Sequence, residues 1–126
     1  IRYLWDTWSP GWEYTDAAFE RSAPSFDNPD FVDVVIHSYR HRHVNAAGEA
    51  RFLAVERRLA ERPPILVPAI VLRGAESGFG RPSSDPTGDQ ARFPGLVARR
   101  IVDGAGHDLP AHRPDAVSSA LLELLA

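Results

Sequence analysis

The feature that most constrains the fold is a continuous apolar run, ILVPAIVLRG, at positions 65–74. Its hydrophobic residues follow one another instead of alternating with polar ones, and turn residues bound it on both sides. This texture is typical of a strand buried on both faces, as in parallel sheets. Because Pro68 cannot donate a ladder hydrogen bond, we expect the regular strand to cover 69–72. A second strand is predicted at VARRIV, 97–102.

The sequence before the apolar run predicts helices and no convincing strand. Thr15 is a suitable N-cap for a short helix over 16–23. Asn28-Pro29-Asp30 combines a capping residue, a proline suited to the first turn and an acidic side chain, and predicts a longer helix over 31–43. A third helix is expected over 49–61, with apolar residues at helical spacing on one face. After the strands, Pro114 begins a closing helix.

The order of elements is helices, strand, loop, strand, loop, helix, which predicts an α/β fold with parallel strands. Two strands do not make a stable parallel sheet, so we expect these two to need neighbours that the chain does not contain. The chain also has no methionine and opens on Ile1. These two observations predict a fragment, a processed subunit or part of a longer protein.

Composition excludes several classes of function. The net charge of -3 argues against a general nucleic-acid binder, and the absence of cysteine excludes disulfides, thiolate metal sites and cysteine nucleophiles. No apolar run approaches the roughly 20 residues that a membrane helix needs, and no signal peptide is visible. We therefore expect a cytoplasmic protein that binds neither nucleic acid nor a membrane.

Two stretches carry a resemblance to a known family. PPILVPAIVLRGAESG, a proline-containing loop and then VARRIVDGAGHDLPAHRPDAVSSALLELL together resemble the last third of an α/β-hydrolase. In that fold one strand ends in a glycine turn that carries the triad acid, and the next ends in a G-x-G-H loop that carries the histidine. SFDNPDFVDVVIHSYRHR resembles the helical cap of the epoxide hydrolase, haloalkane dehalogenase and esterase branch. The resemblance implies a cap region over 1–62 and the C-terminal part of the hydrolase core over 63–126.

The resemblance also implies what must come from elsewhere. No G-x-S-x-G or G-x-D-x-G nucleophile turn occurs in the chain, and the oxyanion-hole loop is absent too. The expected partner is therefore the N-terminal half of the same hydrolase, as a separate chain or as a missing segment. A small-molecule substrate is the other expected partner, no cofactor is required, and a homodimer remains open.

His107 is the candidate general base. It closes the sequence GAGH, 104–107, in which small neighbours leave room for a nucleophile and a substrate to approach the imidazole. The strand before it and the proline-led helix after it strengthen this interpretation. The alternative is a histidine kept by the fold in a protein that no longer catalyses.

The triad acid is harder to assign. The family position, three residues after the strand-end Gly74, is Ser77, which cannot bear the charge that stabilises an imidazolium. Glu76 is one residue earlier and is our preferred acid. Three alternatives remain open: Asp85, Asp89 and an acid from the missing half.

Aromatic and histidine residues suggest an apolar pocket. Trp8, Trp12, His37 and Tyr39 are the candidate substrate-binding residues, and each could equally be a structural residue. His37 and His41 have i, i+4 spacing, but no carboxylate stands at a matching position, so no metal site is expected.

Together these interpretations predict a hydrolase with a nucleophile–histidine–acid triad, acting on a small apolar ester, epoxide or haloalkane. The alternative is a non-catalytic binding or scaffold protein that keeps the fold with a degenerate triad, which Ser77 favours. A functional nucleophile half would discriminate between them.

Overall fold

A computed structural model describes all residues, 1–126. Helices are combined with a small parallel sheet, as an α/β protein requires. The elements are α1 (Arg2–Trp8), α2 (Asp16–Ser22), α3 (Phe31–Arg42), α4 (Leu53–Ala60), β1 (Ala69–Gly74), α5 (Thr87–Arg92), β2 (Leu96–Val102), α6 (Leu109–His112) and α7 (Pro114–Leu125). Short 3-10 segments cover Ala23–Asp27 and Ala50–Phe52. No helix has the length and apolar character needed to cross a bilayer.

The chain divides into two compact units. Ile1–Glu13 and Pro64–Ala126 form the first, here called the strand unit, and Tyr14–Pro63 form the second, the helical unit. The predicted division was between residues 62 and 63, with the first residues in the cap region. Instead, residues 1–13 join the strands, because the carbonyl of Trp8 accepts hydrogen bonds from amides of the loops that follow them. The cap role of the helical unit remains a prediction.

The sheet consists of β1 and β2 in parallel. Both predicted strands are present, and β1 continues two residues beyond the expected end at Leu72. The register is irregular between Ala69 and Ile70 and then regular up to the pair Gly74 and Val102. This register ends the two strands side by side, so the loops that follow them start as neighbours.

The strands are less buried than the sequence predicts. Both are mostly half-buried, and Val97 and Ile101 are exposed. The reason is that each strand has a single neighbour, so much of its surface lacks a covering layer. The buried apolar residues lie after the strands, at Ala105, Leu109 and Ala120.

A buried carboxylate connects the crossover helix α5 to both strands. Asp89, which is 8% exposed, accepts a hydrogen bond from Arg73 Nη2 at 2.5 Å and one from Arg99 Nε at 2.8 Å. The hydrogen bond from Arg99, with that from Arg73, holds the pKa of Asp89 below its ordinary value. Arg99 also donates to the carbonyl of Ser83, so the connection includes the loop before α5.

The helical unit confirms two sequence predictions. The Oγ1 of Thr15 accepts a hydrogen bond from the amide of Ala18 at 3.1 Å, which caps α2 as expected. Helix α3 begins at Phe31 as expected, but its N-cap is Asp30 and no side chain caps it; the Oδ1 of Asn28 instead accepts from the amide of Asp30 at 3.0 Å. Phe26 packs between Phe19 and Phe31, with ring centroids 6.0 and 5.2 Å apart, and so joins α2 to α3.

The third predicted helix, 49–61, is shorter and more exposed than expected. Its start is the 3-10 segment, and the regular helix α4 covers Leu53–Ala60. The apolar residues predicted to share one face of this helix, Phe52, Val55 and Leu59, are all exposed. The guanidinium of Arg51 lies over the ring of Phe52, 4.6 Å from its centroid.

Candidate active site

His107 lies on a short loop that leaves the C-terminal end of β2. Gly104 has a φ of 65°, a left-handed conformation that favours glycine, and it turns the chain out of the strand. Ala105 is fully buried, and its carbonyl accepts a hydrogen bond from the amide of Glu76 at 2.9 Å. The loop after β2 is therefore joined directly to the loop after β1.

The N-terminal segment holds the same loop from the other side. The carbonyl of Trp8 accepts hydrogen bonds from the amides of His107 at 2.9 Å and Gly78 at 3.0 Å. The Oγ of Ser9, which is 2% exposed, accepts from the amide of Asp108 at 2.9 Å. The bonds to His107 and Asp108 join positions 99 residues apart and fix the backbone on both sides of His107.

Two further side chains complete the hydrogen bonding of the loop. The amide of Gly104 donates to Glu76 Oε1 at 3.2 Å, and the amide of Gly106 donates to His112 Nδ1 at 2.9 Å. Four of the five backbone amides over 104–108 thus have partners within the chain. These hydrogen bonds favour a single backbone conformation for the loop.

The imidazole of His107 lies against two aromatic rings. Its centroid is 4.6 Å from that of Phe79 and 5.6 Å from that of Trp8, which meets it edge-on at 83°. Trp8 and Phe79 also contact each other, at 4.9 Å. His107 is exposed, and its ring nitrogens bond to no side chain of this chain. The ring is supported on its carbon surface while its nitrogens remain available for proton transfer.

A cavity of about 470 Å³ opens beside this imidazole. Its wall includes Leu72, Ser77, Phe79, Arg81 and His107. Ser77, at the position where the family pattern places its acid, therefore faces the same space as the histidine. No carboxylate lines the cavity.

Of the three candidate acids in the chain, one accepts a hydrogen bond from the histidine loop. Glu76 is exposed and bonds to the Gly104 amide, but it forms no hydrogen bond or ion pair with the imidazole of His107. Asp85 accepts hydrogen bonds from the hydroxyl and amide of Thr87, and the hydroxyl bond in particular lowers its pKa. Asp89 is occupied by two guanidinium groups, as described above. The acid role of Glu76 remains a prediction.

The candidate substrate-binding residues fall into both units. In the strand unit, Trp8 contacts His107, whereas Trp12 packs 5.0 Å from Trp5 and 6.4 Å from His112. Neither indole lines the cavity beside His107. Their role in binding a substrate remains a prediction.

In the helical unit, His37 stacks on His41 with centroids 6.3 Å apart, and Tyr39 is exposed. The ring of His41 also lies 3.3 Å from the carbonyl of Ala46 and 3.4 Å from Glu56 Oε1. No group of three or more His, Cys, Asp or Glu side chains is placed to hold a metal ion. Substrate binding by His37 and Tyr39 remains a prediction.

Three residues of the site were missed from the sequence. Phe79 supports the imidazole, Ser9 accepts from Asp108, and His112 accepts from Gly106. Ser9 offered a weak signal as a small polar residue among tryptophans at the end of α1. His112 offered another, because it stands one short helix beyond the candidate base.

Comparison with known proteins relates this chain to a solved structure. No protein-family model matches the chain, and no curated protein does. A solved structure from Klebsiella pneumoniae subsp. pneumoniae, described as a putative epoxide hydrolase, is 37% identical with a TM-score of 0.85. The match covers 98% of this chain and 40% of the Klebsiella chain. The chain is therefore related to part of an α/β-hydrolase-like protein and spans less than half of the length of that relative.

Proposed function

We propose that this chain is the histidine-bearing part of an α/β-hydrolase that hydrolyses a small apolar epoxide. The observation that carries the proposal is the loop of His107, whose backbone is held by hydrogen bonds while its ring nitrogens are left available. The similarity to the Klebsiella structure, described as a putative epoxide hydrolase, favours the epoxide over the ester or the haloalkane as substrate.

His107 acts as the general base in this proposal. The nucleophile comes from a part of the hydrolase outside this chain, because these 126 residues contain no nucleophile turn. If the nucleophile is a carboxylate, it attacks an epoxide carbon to form an ester while the ring C–O bond breaks, and the resulting alkoxide takes a proton from water. His107 then removes a proton from the water that cleaves the ester, which releases the diol and restores the carboxylate. A serine nucleophile would instead require an ester substrate, because attack on an epoxide would leave an ether that water cannot cleave; with an ester, His107 removes the hydroxyl proton in the first step.

Glu76 is the proposed acid, because among the three candidates its side chain is the one bonded to the histidine loop. A Glu76→Gln variant isolates the charge, since an amide oxygen can still accept from Gly104. We expect the hydrolysis rate to fall by about 10⁴, as for loss of the charge in a serine-protease triad, with an unchanged thermal midpoint. An unchanged rate would reduce Glu76 to a structural role and move the acid outside this chain.

The second candidate function is a non-catalytic binding or scaffold protein. It is favoured by Ser77 at the family acid position and by the absence of a carboxylate from the wall of the cavity. Such a protein would bind an apolar small molecule with no turnover.

The test is a substrate panel with the full-length protein, followed by denaturing mass spectrometry. Small aromatic epoxides, esters and haloalkanes are incubated separately, and product and protein mass are measured in each. We expect diol formation from the epoxide, and a transient protein adduct of the substrate's mass if the nucleophile is a carboxylate. Binding of all three classes without any product would establish the scaffold function instead.

A further inference from the structure

The hydrogen bond between Gly106 and His112 indicates which ring nitrogen of His112 carries the proton. The Gly106 amide donates to His112 Nδ1 at 2.9 Å, and Gly106 is buried directly before His107. An imidazole nitrogen accepts a hydrogen bond only when it carries no proton. Nδ1 of His112 is therefore bare, and the proton of the neutral ring resides on Nε2.

The surroundings hold this ring in place. His112 ends α6, its own amide donates to the carbonyl of Asp108 at 3.0 Å, and the indole of Trp12 lies 6.4 Å from its ring. The next residue, Arg113, donates to the carbonyl of Asp103 and to the carboxylate of Asp115. The side chain that carries the acceptor atom is thus half-buried, and hydrogen bonds of His112 and Arg113 to Asp108 and Asp103 hold its backbone in place.

In the structure the amide of Gly106 has His112 Nδ1 as its acceptor. Gly106 is packed against Ser9, so closely that a Cβ at Gly106 would overlap the Cα of Ser9. Gly106 is buried, and a buried donor that loses its acceptor favours a displaced loop. The peptide that moves is the one that leads into His107.

We propose that His112 is a positioning residue for His107, acting through its unprotonated Nδ1 on the amide of Gly106. This inference rests on the proposed function, because it assigns His112 a role in presenting the catalytic imidazole. His112 does not contact the reacting atoms. It fixes the direction of the backbone from which the base projects, and a displacement of about 1 Å in such a group can cost about 10²-fold in rate.

The test compares His112→Asn with His112→Phe in the full-length protein. The Oδ1 of asparagine occupies the same place along the side chain as Nδ1, so His112→Asn keeps the acceptor, whereas phenylalanine keeps the ring and loses it. We expect His112→Asn to retain kcat within about threefold and His112→Phe to lose about 10- to 100-fold, with the larger change in kcat and not in KM. If His112→Phe does not fold, His112→Gln serves instead, because its carbonyl lies one bond too far.

A spectroscopic measurement keeps this test separate from that of the proposed function. In ¹⁵N-labelled wild-type protein we expect a through-bond coupling between the Gly106 amide and His112 Nδ1, with the shift of an unprotonated acceptor nitrogen. Absence of that coupling, a protonated Nδ1, or equal kcat in the Asn and Phe variants would overturn the positioning role. Full activity of His107→Ala together with an intact coupling would instead overturn the proposed function.

Discussion

The contacts that stabilise each of the two units from within are of different kinds. In the strand unit, residues far apart in sequence share hydrogen bonds, as Ser9 does with Asp108 and Arg73 with Asp89. In the helical unit no residue is buried; rings of Phe19, Phe26 and Phe31 join α2 to α3, and His41 of α3 lies 3.4 Å from Glu56 of α4. The candidate active site therefore lies in the part of the chain that hydrogen bonds between distant residues hold together. A general base needs such a setting, because its nitrogen must be placed accurately.

The largest stability effect should come from crowding the histidine loop. An added Cβ in Gly106→Ala overlaps Ser9, so we expect a loss of about 3 kcal/mol in the free energy of unfolding. Gly88→Ala is the matched control, because Gly88 lies in α5 with open space around its Cα. In that helix alanine should be neutral or slightly stabilising. Equal stability of the two variants in urea unfolding would show that the loop is not tightly packed.

A smaller effect is expected at the buried carboxylate that joins α5 to the strands. Asp89→Asn removes the charge that accepts from two guanidinium groups, and we expect a loss of about 2 kcal/mol. Asp27→Asn is the control, since Asp27 is exposed and outside the strand unit.

The pH dependence of this loss has a definite sign. The pKa of Asp89 is lower in the folded protein than its ordinary value of about 3.9, so its stabilisation is complete above that value. It is lost as the pH falls through the folded pKa. The stability gap between wild type and Asp89→Asn should therefore be constant near neutral pH and narrow below about pH 4. A gap that widens on acidification would contradict the assignment.

The smallest effect is expected from the cap in the helical unit. Thr15→Ala removes the acceptor for the amide of Ala18 and should destabilise α2 by about 1 kcal/mol, while Thr15→Ser should be close to wild type. Hydrogen exchange should accelerate at Ala18 and stay unchanged at Gly106 and His107. Equal acceleration of exchange at Ala18 and at the histidine loop would mean that the site depends on the helical unit, and would contradict the difference between the two units.

Local patterns in the sequence predicted most of the elements. Both strands, the cap at Thr15, the start of α3 and the start of α7 at Pro114 follow from hydrophobic runs and capping residues, which act over a few positions. Short elements without such signals, α1 and α6, were not predicted individually. Burial was also mispredicted, because the exposure of a strand or a helix face depends on what packs against it.

The candidate site was predictable at its centre and not at its supports. A histidine after three small residues at a strand end indicates His107 directly. Its partners could not be deduced, because the carbonyl of Trp8 and the hydroxyl of Ser9 come from about a hundred residues away and carry no local signature. The orientation of Glu76 toward the Gly104 amide likewise depends on how two loops meet.

The most direct test of the account is the rate of epoxide hydrolysis by the full-length protein with His107→Ala, compared with His43→Ala. His43 is an exposed histidine in the helical unit with no side-chain partner, so its removal controls for the loss of an imidazole. We expect His107→Ala to lower kcat/KM at least about 10³-fold while His43→Ala stays near wild type, with similar thermal midpoints for both. Similar kcat/KM values for His107→Ala and wild type would contradict it, because the base would then be another group.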